Sequence, residues 1–403
     1  MKIIFLQDDF PPQSLGGSGA VAFNLAKAIK QQGHFVYVIT AVQNATLEGE
    51  YEYEELKILR IYSKYHERWA AYLSLYNPET VGKVKEAIRR IKPDVVHVHN
   101  IHHYLSYHCL KLAKQSGAKV FLTAHDVMLF NYGKMGGTST RISPWQQMKK
   151  YKKRYNPFRN ITIKYYLKYV DRIIAVSQSL KDVLNQNYIR NVEVIHNGID
   201  TNDWQVDASI TSAFKEKYNL QDKKIVLFAG RLSEAKGGNQ AIHAMVEVVR
   251  EVPNAALLVA GTENAYTGEM KILARTLGIA GNLIFVGWLS GDELKAMYRN
   301  GEVLIAPSIC FDAFPTTILE AMACGKPVVT TCFGGAKEMV SDGETGYIVN
   351  PFDVTLLAGK ITELLVHSDK ARTFGEAGLE RIKNDFNLEK MAREYLDTYA
   401  GMC

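Results

Sequence analysis

The feature that most constrains this chain is an alternation, run through twice, of short β-branched segments with stretches of helical period. Lys2 to Leu6, Phe35 to Thr40, Val95 to Val98, Val120 to Thr123 and Ile173 to Val176 read as strands. Between the first two, Val21, Leu25, Ala28 and Ile29 repeat on one helical face before Gly33 stops the helix. Strands joined through helices form a parallel sheet with the helices laid on its faces. After Val192 to Ile195 and a turn-rich stretch from His196 to Asp203 the pattern restarts. Further strands read at Lys224 to Phe228, Ala256 to Ala260, Leu283 to Val286, Val303 to Ile305 and Val328 to Thr330, with Ile242, Met245, Val246 and Val249 at helical spacing between them. A length of 403 residues suits two such cores better than one. The expectation is an α/β chain of two Rossmann-like, doubly wound domains over 1–204 and 205–385. The last helical stretch, in 386–403, has no strand after it and is expected to pack back on the first domain.

The apolar run at the N-terminus ends at Gln7-Asp8-Asp9, too early for a signal peptide or a membrane span. Cys109, Cys310, Cys324, Cys332 and Cys403 are odd in number and scattered, with no zinc-like spacing, which fits a reducing cytoplasm. The net charge of +6 is concentrated: from Val127 to Val170 there are ten Lys or Arg and no Asp or Glu, and the rest of the chain is net acidic. That distribution points to a local anionic partner and away from a general nucleic-acid-binding surface.

In doubly wound sheets ligands bind beyond the carboxyl ends of the strands, so the residues just after each strand carry the functional reading. After the first strand, Asp8 to Gly19 form a Gly-rich turn opening a helix, whose Gly16 and Gly17 suit a phosphate or a sugar hydroxyl. Gly17, Gly19 and Ala22 also satisfy a GxGxxA dinucleotide pattern. Eight residues separate Asp8 from Gly17, however, and Thr40-Ala41-Val42 supplies no ribose-binding acid, so NAD is set aside. In the second half, Arg231 and Lys236 flank a strand-to-helix turn and can clamp a diphosphate, Arg by its fork and Lys as a point charge; a pair of solvated surface charges is the competing reading. Phe311 to Val329 holds a short helix with Pro315 at its start and Gly325 after its end. Asp312 precedes that helix, Thr316 and Thr317 open it, and Glu320 lies inside it, an order that suits a sugar, a phosphate and a ribose. A capped core helix explains the same residues without a ligand.

The succession Gly16-Gly17, His125-Asp126, Gly230-Arg231, Lys236-Gly237, Asp312 to Glu320 and Gly334 to Glu338 resembles the retaining glycosyltransferases of family 4, which have the GT-B fold; Phe314 to Gly325 is its most specific part. The resemblance implies an acceptor-binding first domain facing a nucleotide-sugar-binding second domain across a cleft. It implies a retaining hexosyltransferase that moves a sugar from a UDP- or GDP-sugar to an acceptor hydroxyl, in glycan, glycolipid or polysaccharide biosynthesis. By the same resemblance Arg231 and Lys236 hold the diphosphate, Glu320 the ribose, and backbone groups after Phe314 and Pro315 the phosphate and sugar, while His125 meets the reacting sugar. No metal or other cofactor is implied, since the two cations replace a divalent ion. The family's usual pair of glutamates is departed from at Asp312, whose shorter carboxylate sits further back. The competing functions are a sugar-nucleotide epimerase or phosphorylase on the same architecture, and a binding module that has lost activity.

Two features lie outside that pattern. His97, His99, His102 and His103 are close enough in sequence for a metal site, but no carboxylate or cysteine lies among them, and buried or acceptor-facing imidazoles are the commoner outcome. The segment 149–159, Lys149 to Arg159, interleaves bases with aromatics, with Trp145 before it and Tyr165, Tyr166 and Tyr169 after it. It suits an anionic membrane surface and a lipid-linked acceptor, with the protein peripheral on the inner face of the membrane. No nucleic-acid motif accompanies it, and a solvated loop is the plain alternative.

Overall fold

The computed structural model describes residues 1–13, 16–64, 66, 68–138 and 140–401, apart from the side chain of Lys153. Ser14 and Leu15 of the Gly-rich turn, Lys153 of the basic segment as a side chain, and Cys403 therefore lie outside the described residues. The chain divides into two compact units. Unit 1 comprises Met1–Met135, Ser139–Asn197 and Leu388–Cys403, and unit 2 comprises Gly136–Thr138 and Gly198–Asn387.

Unit 1 runs β1 (Lys2–Leu6), α1 (Gly17–Gln31), β2 (Phe35–Val42), β3 (Gly49–Tyr53), β4 (Leu56–Tyr62), α2 (Ala70–Leu73), α3 (Pro78–Ile91), β5 (Val95–Val98), α4 (His108–Gln115) and β6 (Lys119–Ala124). It continues with α5 (Pro144–Tyr151), α6 (Arg159–Leu167), β7 (Arg172–Ala175), α7 (Gln178–Gln186) and β8 (Val192–Val194). Its eight strands lie in the order β3-β4-β2-β1-β5-β6-β7-β8, parallel except for the antiparallel pair β3/β4. That hairpin is invisible to an apolar-run reading because Gly49–Tyr53 alternates glutamate with tyrosine, as an edge strand does when it keeps charge on its open side. Its turn residues Glu54 and Glu55 both have positive φ, 44° and 64°, where Asn-Gly would have been the readable signal.

Unit 2 runs α8 (Ala208–Lys217), β9 (Lys224–Ala229), α9 (Gly238–Glu251), β10 (Ala255–Ala260), α10 (Ala265–Thr276), β11 (Leu283–Gly287) and α11 (Gly291–Asn300). It continues with β12 (Val303–Ala306), α12 (Thr316–Ala323), β13 (Val328–Thr331), α13 (Ala336–Met339), β14 (Gly346–Val349), α14 (Val354–Val366) and α15 (Ser368–Asp385). The all-parallel order β11-β10-β9-β12-β13-β14 is the doubly wound order 3-2-1-4-5-6 of dinucleotide-binding halves. β14 escapes the sequence reading because its four residues follow directly on the turn-rich Asp342 to Thr345.

Each unit has its own core. In unit 2, Val226, Phe228, Leu257, Val259 and Ile305 from the sheet pack with Ile242, Met245 and Val248 of α9. In unit 1, Ile3, Phe5, Val36 and Val38 pack with Val21, Leu25 and Ile29 of α1. The last helix, α16 (Leu388–Ala400), belongs to unit 1, where it lies against α1 and inserts Met391, Ala392, Tyr395 and Tyr399 into the same core. The boundaries differ from the expected ones at both ends of unit 2. The Ile199 N–H donates to the Phe386 carbonyl at 2.9 Å, and Ile199 bridges to Asn387, so these segments hold each other within unit 2. Trp204 packs edge-on against Tyr298 there, which places the junction after Asn197 and not at residue 204, and the end of the unit at Asn387 and not at 385.

Candidate functional site

In unit 2 the strand order reverses between β9 and β12, so a crevice at the carboxyl ends of these two strands is the expected ligand position. β9 leads into Gly230, at φ 102°, then the exposed Arg231 and a single 3-10 turn over Glu234–Lys236. Gly237 follows at φ 78°, and a β-carbon there would stand 1.9 Å from the Pro307 carbonyl oxygen, so only glycine lets the turn after β9 press on the loop after β12. The Ala235 carbonyl accepts from the N–H groups of Ile309 at 3.1 Å and Cys310 at 3.2 Å, locking the two loops together. This brings Lys236 to Asp312, whose Oδ2 accepts a hydrogen bond from Nζ. The two side chains are 36% and 19% exposed, so the pair faces a partly dry environment. Burial opposes the Lys236 ammonium, but the attraction and hydrogen bond of Asp312 outweigh it and hold the pKa above the ordinary lysine value. Arg231 is near enough for its charge to push the other way.

Asp312 is held from behind as well. Gly335 donates its N–H to the Asp312 carbonyl at 2.8 Å, and at Gly334, φ 66°, a β-carbon would come within 2.2 Å of that same oxygen. Four residues beyond Asp312, α12 begins with Pro315 as an extended N-cap residue, no side-chain cap and no acid in its first turn. The first N–H groups of a helix have no intrahelical acceptor, and the macrodipole makes that end attractive to an anion. Phe314 is buried, edge-on to Phe386, so its ring anchors the loop, while Thr316 and Thr317 are half-buried. Glu320 lies one turn further along, where burial raises its pKa against hydrogen bonds from Tyr298 and Thr316. The Tyr298 Oη donates to Glu320 Oε2 at 2.6 Å from a ring that is fully buried. Lys236, Asp312, the start of α12 and Glu320 are thus gathered in one part of unit 2, with Arg231 beside them.

In unit 1 the sheet reverses between β1 and β5, and the residues after both strands form a buried polar network. The Asp8 carboxylate accepts three backbone N–H groups, from His103 at 2.7 Å, Tyr104 at 3.2 Å and Leu105 at 2.8 Å, while burial pushes its pKa up to about 6. Gln7 accepts from the Asn100 N–H at 2.9 Å; Asn100 in turn donates to Ser18 Oγ at 3.2 Å and Asp126 Oδ2 at 3.3 Å. Ser18 sits in the first turn of α1, so this network holds the helix start at which Gly16 and Gly17 are exposed. After β6 come His125 and Asp126, both half-buried. Burial opposes the Asp126 carboxylate, but the His102 imidazole at 3.4 Å and the Met128 N–H at 2.8 Å outweigh it and bring the pKa to about 2. Burial likewise drives His125 down to about 4, leaving a neutral ring at pH 7.

His97 and His102 are engaged at both ring nitrogens. His97 makes hydrogen bonds with Thr123 Oγ1 and Tyr399 Oη, each at 2.7 Å, and His102 with Tyr107 Oη at 2.6 Å and Asn100 Oδ1 at 3.1 Å. Among the described residues, no group of three or more His, Cys, Asp or Glu is arranged to hold a metal ion. The basic segment forms α5, opened by a capping box between Ser143 and Gln146, and α6. Arg159 does not belong to its surface: the side chain is 0% exposed, donates to the Met128 carbonyl at 2.7 Å and stands over the Tyr132 ring. Tyr166 is buried too, whereas Trp145, Phe158 and Ile161 are exposed. No helix among the described residues is long and apolar enough to cross a membrane.

Sequence reasoning missed Tyr298, which sits on an ordinary amphipathic helix with nothing to mark it, and also Gln7 and Asn100, which the strand-end rule would have flagged had polar amides been weighed with the charges.

Comparison with known proteins identifies the family. The family model for Glycosyltransferase Family 4 matches residues 15–203, and that for Glycosyl transferases group 1 matches residues 210–381. An uncharacterized glycosyltransferase of Methanocaldococcus jannaschii is 27% identical over 99% of this chain and 98% of its own length. The N-acetyl-alpha-D-glucosaminyl L-malate synthase of Bacillus anthracis is 26% identical over 96% of this chain and 94% of its own. Among solved structures, the sucrose-phosphate synthase of Thermosynechococcus elongatus superposes with a TM-score of 0.78 at 22% identity, covering 100% of this chain and 99% of that one, and so shares the fold. With one family model on each half, full-length relatives of the same kind and two parallel Rossmann-like sheets, the chain belongs to the nucleotide-sugar glycosyltransferases of family 4 with the GT-B fold.

Proposed function

We propose that the chain transfers a hexose from a UDP- or GDP-linked donor to an acceptor hydroxyl with retention of configuration and without a metal ion. The observation that carries this is the gathering, at the switch point of unit 2, of Lys236, Asp312, an uncapped helix start and Glu320. In this reading Arg231 and Lys236 bind the diphosphate, the first N–H groups of α12 hold phosphate oxygens, and Glu320 accepts hydrogen bonds from the ribose hydroxyls. Lys236 is then shared: its ammonium stays charged because Asp312 faces it, and the same carboxylate takes a hydroxyl of the donor sugar. Charge grows on the departing diphosphate as the glycosidic C–O bond breaks, and the fixed cations and helix dipole stabilise it.

No residue is assigned as a covalent nucleophile. The acceptor oxygen attacks the anomeric carbon from the face that the diphosphate leaves, the new C–O bond forms there, and the hydroxyl proton passes to the leaving diphosphate oxygen. In this reading unit 1 binds the acceptor, its Gly16-Gly17 helix start serves a phosphate or hydroxyl of the donor, and His125 meets the reacting sugar.

A further reading concerns the acceptor's setting. Trp145 at 75%, Phe158 at 69% and Ile161 at 70% exposure lie in or beside the segment that carries Lys149, Lys152 and Arg154, a combination that favours contact with an anionic lipid surface and a lipid-linked acceptor.

The test is transfer from UDP- and GDP-hexoses to a panel of glycan, lipid-linked and small hydroxyl acceptors in excess EDTA, with the product anomer read by NMR. Transfer with the donor's anomeric configuration is expected. An inverted product would refute retention, activity that returns only with added Mg²⁺ or Mn²⁺ would refute the cationic clamp, and donor binding without turnover would leave a binding module.

A further inference from the structure

His125 is neutral at pH 7, and what it can do for a ligand depends on which ring nitrogen carries its single proton. That choice is set one layer deeper. His125 Nε2 stands 2.8 Å from Nδ1 of His99, with the two rings meeting edge to edge and their planes 20° apart. His99 is 1% exposed and lies flat on Phe5, 5.4 Å between centroids at 15°, so its ring plane is fixed. Burial drives it well below the ordinary histidine pKa, and the neighbouring His97 and His125 add to that, so it too is neutral. Its second nitrogen, Nε2, is sealed from solvent and has no hydrogen-bond partner among the described residues.

One proton lies between the two rings, and there are two ways to place it. If His125 donated it, His99 would carry its own proton on Nε2, and a buried N–H would go unpaired. If His99 donates it, the atom left unpaired on His99 is a bare nitrogen. Among buried backbone groups an orphaned N–H is rarer than an under-satisfied acceptor, and the same desolvation argument carries over to the ring nitrogens. This favours the second arrangement, in which His99 Nδ1–H donates to His125 Nε2 and the proton of His125 sits on Nδ1.

We propose that His99 is a positioning residue that fixes His125 as its Nδ1–H tautomer, so that His125 enters the reaction as a hydrogen-bond donor to a ligand oxygen and not as the acceptor of the hydroxyl proton. This rests on the proposed placing of His125 at the reacting sugar. It also accounts for the proton: with the outer nitrogen of His125 already protonated, the leaving diphosphate oxygen is the group that receives it.

The tautomer is read directly, on the full chain labelled with ¹⁵N-histidine at pH 7, assigning the resonances by difference from His125→Gln. A pyrrole-type Nδ1 and a pyridine-type Nε2 are expected on both His125 and His99; a protonated Nε2 on His125 overturns the proposal whether or not any variant folds. Kinetics supply the second arm. His99→Leu is expected to lower kcat roughly 10- to 100-fold, the range seen when an orienting partner of a functional imidazole is removed, with donor KM changed by less than about twofold. His99→Asn, whose amide N–H takes the place of Nδ1–H, is expected to recover most of that loss. Unchanged kcat in a folded His99→Leu protein overturns the positioning role, whereas unchanged kcat in His125→Ala would instead dismiss the placing of His125 at the sugar.

Discussion

At the scale of single residues, the site in unit 2 works by sharing charges. Lys236 has one carboxylate partner in Asp312 and is proposed to have a second anionic partner in the donor. Removing a cation from a desolvated charge pair costs about 2 to 5 kcal/mol, or roughly 30-fold or more in affinity or rate. Arg231→Ala and Lys236→Ala are therefore expected to weaken transfer by at least that factor. Lys236→Ala carries an added penalty because it leaves Asp312 facing the site unpaired. Steady-state kinetics with both variants check this, and unchanged kcat/KM in both would remove the diphosphate role. Tyr298 gives a sharper test. Its hydroxyl contributes one hydrogen bond to a half-buried carboxylate, worth about 1.5 to 3 kcal/mol. Tyr298→Phe keeps the packing against Trp204 but frees Glu320 to turn, so donor KM is expected to rise roughly tenfold. The increase should shrink when the donor's ribose lacks the hydroxyls that Glu320 holds; an equal increase with such a donor would place the defect elsewhere.

At the scale of elements, α5 and α6 turn the basic stretch into two short helices with a buried anchor, Arg159, and exposed Trp145, Phe158 and Ile161. Replacing Lys149, Lys150, Lys152, Lys153 and Arg154 by Gln is expected to abolish sedimentation with anionic liposomes while leaving donor affinity intact. Binding of the unaltered protein should also fade at high salt, because the Debye length falls from about 10 Å at 0.1 M to about 3 Å at 1 M. A protein that ignores anionic liposomes at low salt would point to a soluble acceptor. The same two helices show why sequence reading stopped where it did. Strands such as Lys2–Leu6 and Val303–Ala306 were legible because central parallel strands are apolar on both faces. The Phe314 to Gly325 helix was legible from Pro315 and Gly325, which mark its ends chemically. The β3/β4 hairpin was not, since its edge strand carries glutamates and its turn uses Glu54-Glu55. Lys236 and Asp312 were each legible as charges after strands, but their pairing depends on Gly237 and Gly334 bringing two loops into contact, and spacing in sequence does not encode that. Arg159 counted as one more surface base because a single sequence gives no sign that the Met128 carbonyl and the Tyr132 ring would enclose it.

At the scale of the whole molecule, the two units have separate cores, and one of them is closed by the end of the chain. Tyr395 is 1% and Tyr399 0% exposed; the Tyr395 hydroxyl meets Thr123 Oγ1 at 2.9 Å, and that of Tyr399 meets His97. Burying each large apolar side chain contributes about 1.5 to 3 kcal/mol, so losing Met391, Tyr395, Leu396 and Tyr399 together rivals the total stability of a domain, about 5 to 15 kcal/mol. Truncation after Asn387 is expected to abolish the cooperative melting of unit 1 while unit 2 keeps its own transition, as calorimetry and limited proteolysis would show. An unaltered two-transition melt would mean that α16 is dispensable. The order of synthesis gives this arrangement a temporal side. Residues 1–197 leave the ribosome before the helix that completes their core, which is made only after all 190 residues of Gly198–Asn387. At roughly 5 to 20 residues per second that interval is about 10 to 40 s, during which the half-finished sheet has an uncovered apolar flank. The later-made half therefore has its full set of core elements before the N-terminal half does, and the uncovered flank of the nascent N-terminal half is where a chaperone is expected to bind.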